Sequence, residues 1–255
     1  MFNCLGVKTG GETTANIFDE MGMYWVEIAD KNQTERQIQF LKIHLKPAGY
    51  LLDLACGSGR HSIDLKADGY MMVGLDASRR LLRIAKQRSH DIAVVLGDIR
   101  FLPFKTGTIA TAMSVDTSFG YLPSEVDDKV SLAEVRRVLF QEGSFVIDIF
   151  NREYLTLKYK GQNNSTKEKE YPSFSLQQKR TVSDSGDWLC DSWTICDKID
   201  GQVRFFEHKV RLYSQSELLN LLKGVGFGVN RIFGGYEGEN FSADSPRLIV
   251  VAVAE

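Results

Sequence analysis

Two glycines and two acids follow predicted strands in the first half of this 255-residue chain. Gly57 and Gly59 lie in the turn after the apolar run 50–54, and Asp76 and Asp98 end the next two apolar runs. Glycine lacks the side chain that would block a ligand, and it tolerates positive φ. Open α/β sheets bind ligands at the carboxyl ends of their strands. These residues therefore predict a binding site, with a tight turn that binds nothing as the alternative.

The chemistry of these residues suits a nucleoside better than a dinucleotide. A carboxylate at Asp76 can accept both hydroxyls of a ribose, and one at Asp98 can accept the exocyclic amine of an adenine. Ser62 stands where the dinucleotide fingerprint requires its third glycine. We therefore predict an adenosine pocket without phosphates, and an NAD-dependent oxidoreductase is disfavoured.

Alternating strand and helix patterns position these residues. We predict strands at 50–54, 71–75, 92–96, 109–115 and 144–149, and helices at 33–46, 60–68 and 125–139, with a further helix capped by Ser78. The strands are continuous apolar runs, so helices should cover both faces of the sheet. The predicted fold is α/β, with a doubly wound, mostly parallel sheet.

The pattern changes after Phe150. Residues 158–170 are almost entirely polar and are predicted to form a mobile loop, whereas 171–213 alternate like an antiparallel meander. A helix at 216–223 and strands at 227–233 and 248–253 end the chain. We interpret 1–255 as a single domain, 152–214 as an inserted loop and β meander that caps the substrate, and the Gly/Thr-rich residues 1–20 as a loose N-terminal arm.

The meander carries a candidate base. Asp200-Gly201 is a typical two-residue hairpin turn, and with these residues at its centre Trp193 faces His208 and Ile195 faces Phe206. Trp193, Phe206 and His208 would share one face because side chains alternate along a strand. His208 is then either a general base or substrate contact, or a buried, hydrogen-bonded structural residue.

Composition excludes several classes of protein. Lys plus Arg is 31 and Asp plus Glu is 33, a net charge of −2, so no basic excess favours nucleic acid as the main partner. No apolar run reaches the roughly 18 residues that span a bilayer, and residues 1–20 lack the apolar core of a secretory signal. The four cysteines are scattered, and no ligand spacing indicates a zinc site. We expect a cytoplasmic protein without a metal site.

Three segments resemble the signature motifs of one family. DLACGSGRHS (53–62), GLDAS (74–78) and GDIRFLPF (97–104) resemble motifs I, II and III of the class I S-adenosylmethionine-dependent methyltransferases. TSFGYL (117–122) and the carboxyl-terminal part of the chain are similar to a small-molecule branch of that family. The resemblance implies a seven-stranded Rossmann-like sheet whose last strand is antiparallel.

The resemblance also implies an activity, namely methyl transfer from S-adenosyl-L-methionine to a nitrogen or oxygen atom of a small molecule. The alternatives are a methyltransferase that acts on RNA or protein, and a non-catalytic S-adenosylmethionine-binding module. A monomer or a homodimer is expected. Asp116 departs from the family, which has an apolar residue there, and this indicates a difference in substrate.

Site residues are carried over from the resemblance. The cofactor-binding candidates are Tyr24, Asp53, Ala55, Gly57, Gly59, Asp76, Ala77, Asp98, Ile99, Ser114 and Val115. The candidate catalytic residues are His208, Tyr121 and Tyr213. Asp53 is alternatively a helix-capping residue, and Tyr24 is alternatively a packing residue. Tyr236 and Arg247 either orient the substrate or attach the meander to the sheet.

Overall fold

The computed structural model describes residues 14–29, 31–45, 48–159 and 166–255. The helices are α1 (Thr14–Ile28), α2 (Lys31–His44), α3 (Arg60–Ala67), α4 (Arg79–Arg88), α5 (Glu125–Val138), α6 (Arg152–Tyr159) and α7 (Gln215–Gly224). The strands are β1 (Tyr50–Leu54), β2 (Met71–Asp76), β3 (Val94–Leu96), β4 (Ile109–Ser114), β5 (Leu139–Phe150), β6 (Thr166–Glu170), β7 (Phe174–Val182), β8 (Trp188–Asp197), β9 (Val203–Arg211), β10 (Phe227–Phe233) and β11 (Arg247–Ala254). None of these helices is long and apolar enough to cross a membrane.

The larger sheet has seven strands in the order β10-β11-β5-β4-β1-β2-β3. Strands β1 to β5 pair in parallel, whereas β11 is antiparallel to both β5 and β10. The mostly parallel Rossmann-like sheet and its antiparallel end are thereby confirmed. Strand order reverses between β1 and β4, so a crevice forms where these two strands end.

Helices cover both faces of this sheet, as the continuous apolar strands predict. On one face, Leu132 of α5 and Leu218 of α7 pack with Leu52 and Val250 of the strands. On the other face, Leu41 of α2 and Leu65 of α3 pack with strand residues such as Met113. The residues that follow the strands are therefore held by two separate apolar layers.

A second, antiparallel sheet has the order β6-β7-β8-β9. Strand β6 occupies Thr166–Glu170, and α6 extends to Tyr159, so the predicted loop over 158–170 is wrong at both ends. Every residue of β6 is exposed, and its side chains are mostly charged. Such a strand is an edge with no apolar signal in the sequence. Residues 160–165 of the predicted loop lie outside the described residues.

The register of the meander differs from the prediction by two residues. Trp193 pairs with Phe206, and His208 pairs with Asp191. The connection is longer than a two-residue turn because the Asp197 Oδ1 accepts the amide of Ile199 at 2.7 Å and that of Asp200 at 3.2 Å. A shift of two residues leaves each side chain on its predicted face.

The prediction of a loose arm over 1–20 is wrong over 14–20, which belong to α1, and 1–13 lie outside the described residues. Met21 is fully buried, and α1 contacts both α4 and β9. Gly22 has φ 41° and ψ −110° and kinks the helix. A Cβ at Gly22 would displace the Arg80 side chain, whose Nε would lie 2.3 Å away, and the positive φ strains any other residue there.

Candidate active site

The turn after β1 contains three residues in left-handed conformations. Ala55, Gly57 and Gly59 have φ values of 55°, 55° and 74°. Such a conformation is strained for alanine. Beneath this turn, a Cβ at Gly74 would lie 2.6 Å from the Cys56 Sγ, so glycine in β2 permits the close approach. Backbone atoms of this turn, rather than large side chains, therefore face the crevice between β1 and β4.

Asp76 accepts hydrogen bonds on both carboxylate oxygens. The Gly57 amide donates to Oδ2 and the Ser78 amide to Oδ1, each at 2.7 Å. The side chain is 8% exposed, and burial raises its pKa, while these backbone donors oppose the shift. A carboxylate has about four acceptor positions, so both oxygens remain able to accept further donors.

Asp98, which follows β3, is bound by an arginine. Arg100 Nη2 donates to Asp98 Oδ2 at 2.6 Å, and the Arg100 amide donates to Oδ1 at 2.9 Å. This pairing lowers the pKa of Asp98 and keeps it charged. Arg100 also donates to Asp127 Oδ1 at 2.8 Å. An adenine amine would therefore be an additional donor to an acid that already has a cationic partner.

The crevice joins residues from three strand ends. Ala55, Ile99 and Ser114 line a small cavity there, together with Ser118, Phe119 and residues of α5 such as Leu132. The structure does not place every candidate there. Val115 is buried in the apolar layer under α2 and α3, and Ala77 is exposed beside Asp76.

Asp53 faces α3 rather than the crevice. Its Oδ2 accepts the Ser62 hydroxyl at 2.6 Å, and the side chain is 3% exposed. Burial raises the pKa of Asp53 to about 7, although Ser62 and nearby Arg60 lower it. The contact attaches α3 to β1, but Asp53 does not cap the helix, since the N-cap of α3 is Gly59 and receives no side-chain hydrogen bond.

Asp116 lies in a strained turn after β4. Asp116 and Thr117 both have φ 59°, which is uncommon for residues other than glycine. Arg60 Nη2 donates to Asp116 Oδ2 at 2.5 Å, and Arg60 Nη1 donates to the Thr34 hydroxyl at 2.6 Å. The first residue of α3 is thus attached both to this turn and to α2.

Asp148 of β5 holds that turn from below. Its Oδ2 accepts the Asp116 amide at 2.7 Å and the Tyr236 hydroxyl, and its Oδ1 accepts Arg247 Nε at 2.8 Å. Arg247 Nη2 also donates to the Thr117 hydroxyl at 2.8 Å. Sequence reasoning missed Asp148, although an acid inside the apolar run 144–149 was a visible signal. Arg247, at the start of β11, and Tyr236, in the connection between β10 and β11, therefore attach this end of the chain to the turn after β4.

His208 lies in a group of neighbouring rings that we call the aromatic enclosure, formed by Phe18, Trp25, Tyr121, Trp193 and His208. The His208 ring centroid lies 5.4 Å from that of Trp193 and 6.0 Å from that of Tyr121. Burial lowers the pKa of His208, and Nε2 lies 3.7 Å from Asp191 Oδ2. Within the described residues, His208 Nδ1 and Trp193 Nε1 are buried without a hydrogen-bond partner.

Two predicted tyrosines lie elsewhere. The Tyr213 hydroxyl donates to Asp128 Oδ2 of α5 at 2.7 Å, and its ring packs on Phe119 in the main core. Tyr213 therefore attaches the end of the meander to α5, and its assignment as a catalytic residue is not retained. The Tyr24 hydroxyl donates to Asp197 of β8, and its ring lies 5.0 Å from that of Phe174. Tyr24 packs on the meander, and its role in covering the cofactor stays a prediction.

Comparison with known proteins finds a methyltransferase domain in this chain and methyltransferases of the same fold. Residues 51–143 match the family model of a methyltransferase domain. The cypemycin N-terminal methyltransferase of Streptomyces sp is 25% identical over 206 residues, which are 79% of this chain and 81% of that protein.

Two solved structures extend the likeness to nearly the whole chain. The CcbJ methyltransferase from Streptomyces caelestis has a TM-score of 0.80 at 16% identity and covers 95% of this chain and 98% of its own. The sugar N-methyltransferase KedS8 from Streptoalloteichus sp has a TM-score of 0.69 at 16% identity and covers 100% and 99%. The family match identifies residues 51–143 as a methyltransferase domain, and the sheet order together with these structures shows the class I methyltransferase fold over nearly the whole chain.

Proposed function

We propose that this enzyme methylates a nitrogen or oxygen atom of a small molecule that binds between the strand ends and the meander. The observation that carries the proposal is the aromatic enclosure, in which rings from α1, from the segment after β4 and from the meander meet around His208. Small-molecule pockets combine apolar and aromatic walls with a few polar groups. KedS8, a sugar N-methyltransferase, has the same overall architecture.

The residues at the strand ends fit the cofactor. We propose that Asp76 binds the ribose hydroxyls, because its carboxylate is buried, fixed by two amides and still able to accept donors. Ala55 and Ile99 would contact the adenine, and Asp98 would accept its amine through Oδ2. The backbone at Gly57 and Gly59 would hold the methionine end. S-adenosylmethionine, when bound, supplies the activated methyl group, so the protein mainly aligns and encloses the reactants.

RNA is a poorer candidate for the acceptor. Lys167 and Lys169 of β6 alternate with Glu168 and Glu170, so this edge of the meander is not a basic patch. Phosphate-backbone binding needs clustered positive charge.

Cys56 and Cys196 carry free thiols, which supports the further proposal of a cytoplasmic location.

The test supplies radiolabelled S-adenosylmethionine to the purified enzyme with three acceptor pools: small metabolites, tRNA and a protein extract. Label should enter the small-molecule pool and disappear from the reaction with Asp76→Ala. The matched control is Asp64→Ala, an exposed acid of α3, which should retain the activity. Label that enters only RNA or protein would overturn the proposal.

A further inference from the structure

We propose, building on the proposed function, that the acceptor is a neutral, flat molecule with a hydroxyl group, and that Phe18 occupies the place of its ring in this structure. The hydroxyl would donate to His208 Nδ1 and accept from Trp193 Nε1. The enclosure would then be the acceptor site, and the first part of α1 would be its removable cover.

Phe18 contacts the enclosure as an aromatic ligand would. Its ring centroid lies 5.2 Å from that of Trp25 and 5.4 Å from that of Tyr121, both edge-on, and 6.3 Å from that of His208. Aromatic rings favour such edge-to-face contacts at about 4.5–7 Å. Trp25 stacks on Trp193 at 5.7 Å and completes the wall. The flat ring of an acceptor could therefore make the same contacts once Phe18 moves away.

Two buried polar atoms identify the hydroxyl. His208 and Trp193 have side chains 6% and 4% exposed, yet His208 Nδ1 and Trp193 Nε1 have no hydrogen-bond partner among the described residues. Leaving such a group unsatisfied costs roughly 1–3 kcal/mol. With its proton on Nε2, facing Asp191, the neutral ring offers Nδ1 as an acceptor, and Trp193 offers a donor. A hydroxyl is both donor and acceptor, so one group can satisfy both atoms.

The charges around the enclosure favour a neutral ligand over an ammonium ion. Asp191 is 3% exposed, but it is neutralised by Arg180, whose Nη2 and Nε donate to it at 2.5 and 2.8 Å. Arg180 lowers and Asp191 raises the pKa of His208, while burial dominates and keeps the ring neutral. An ammonium group has no acceptor atom, so it would leave the Trp193 N–H unsatisfied.

The enclosure adjoins the proposed cofactor site. Asp19, next to Phe18, accepts the Ser78 hydroxyl and the Arg80 amide at 2.9 Å, and the Ser78 amide donates to Asp76. On the other side, Phe119 lines the crevice at the strand ends, two residues before Tyr121. An acceptor ring in the place of Phe18 would therefore lie beside the ligand that Asp76 binds.

The first half of α1 can move separately from the second half because the helix is kinked. The kink at Gly22 divides the helix, and Phe18 lies before it. After the kink, Glu27 accepts the amide of Ser173 at 3.0 Å and its hydroxyl at 2.5 Å, which fixes that half to the meander. The segment that carries Phe18 can thus rotate away while the second half stays attached, provided that Asp19 releases the Ser78 hydroxyl and the Arg80 amide.

The test measures binding of 4-methylphenol and of benzylammonium by NMR titration in the presence of saturating S-adenosylhomocysteine. 4-Methylphenol should bind at least about tenfold more tightly than benzylammonium. Phe18→Ala should tighten 4-methylphenol binding several-fold, because the competing ring is gone. Trp193→Phe and His208→Phe should each weaken it about tenfold, through loss of one hydrogen bond.

The control is Trp188→Phe, since Trp188 packs on Lys209 and Arg211 outside the enclosure and should leave binding unchanged. A preference for benzylammonium, or weaker 4-methylphenol binding by a folded Phe18→Ala, would overturn the inference. If His208→Phe does not fold, Trp193→Phe decides. Absence of S-adenosylhomocysteine binding would instead contradict the proposed function, so the two failures are distinguishable.

Discussion

The Gly57 amide donates to the Asp76 Oδ2 at 2.7 Å, which joins the turn after β1 to the end of β2. The Ser78 amide fixes the other oxygen from the start of α4. The carboxylate is thus oriented by backbone donors before any ligand is considered. Because a preorganised site loses little conformational entropy on binding, this pair supports the proposal that Asp76 dominates cofactor affinity.

Buried histidines should make stability depend on pH below about 6.5. The His61 Nε2 donates to the Gln37 Oε1 at 2.7 Å, and burial lowers the pKa of His61 well below its usual value. The unfolded chain binds a proton that the folded protein does not, so stability falls as the pH drops below 6.5. The contribution of His61 should reach roughly 1.4 kcal/mol at pH 5.5.

Urea unfolding at pH 8.0 and 5.5 checks this prediction. The wild type should lose more stability on acidification than His61→Gln, by that amount. His90→Gln, at an exposed position, should behave like the wild type. An equal response of His61→Gln and the wild type would contradict the buried neutral imidazole.

Asp53 should make stability fall as the pH rises, which is opposite to the effect of His61. Burial raises the pKa of Asp53 in the folded protein to about 7, above the ordinary 3.8 of an aspartate, so the folded protein holds a proton that the unfolded chain releases. Stability contributed by this group falls as the pH rises from about 4 to 7. Asp53→Asn should therefore gain stability relative to the wild type between pH 5 and pH 8, by roughly 2–4 kcal/mol.

Thermal unfolding at the two pH values measures the effect. Asp64→Asn, an exposed substitution in α3, should show no such difference. A relative loss of stability by Asp53→Asn at the higher pH would show that Asp53 is ionised and favourably paired.

Removing only one partner of the Asp148–Arg247 ion pair should strongly lower the free energy of unfolding. Both side chains are buried, and Asp148→Ala would leave the Arg247 guanidinium without its counter-charge. The expected loss is about 3–5 kcal/mol, whereas the double variant Asp148→Leu/Arg247→Met should lose much less. Urea unfolding compares these with Asp68→Ala, which removes an exposed pair with Lys42 and should cost under about 1 kcal/mol. Similar losses for Asp148→Ala and Asp68→Ala would refute this account.

Cofactor and acceptor recognition should be separable. The proposed cofactor residues lie at the strand ends, while His208 belongs to β9 of the second sheet. His208→Ala should therefore bind S-adenosylhomocysteine within about twofold of the wild type by calorimetry. A tenfold loss in a folded variant would mean that the meander contributes directly to the cofactor site.

The main sheet was predictable because its strands are buried on both faces. The run 50–54 and the Ser78 cap are local signals, and the Ser78 hydroxyl does accept the Leu81 amide at 3.1 Å. The register of β8 and β9 was not predictable from Asp200-Gly201, since the Asp197 side chain stabilises a longer connection.

Local sequence patterns did not predict helix α1 or the partners of Asp148. Ile17, Met21 and Trp25 recur every four residues, but Gly22 interrupts an otherwise helical signal. Asp148 looked like an exception within an apolar strand, and its partners lie about 30 and 100 residues away in sequence, at Asp116 and Arg247. Pairings at such separations depend on the tertiary fold.

The central claim is that Asp76 binds the ribose of the cofactor, and calorimetric titration of Asp76→Ala with S-adenosylhomocysteine tests it most directly. Loss of a charged acceptor for two hydroxyls should cost roughly 1.5–3 kcal/mol, about a 10- to 150-fold weaker Kd. Circular dichroism and the Tm must show that the variant is folded, with Asp64→Ala as the matched control. Weakened binding by Asp76→Ala alone is the predicted result, and unchanged affinity in a folded Asp76→Ala would contradict the account.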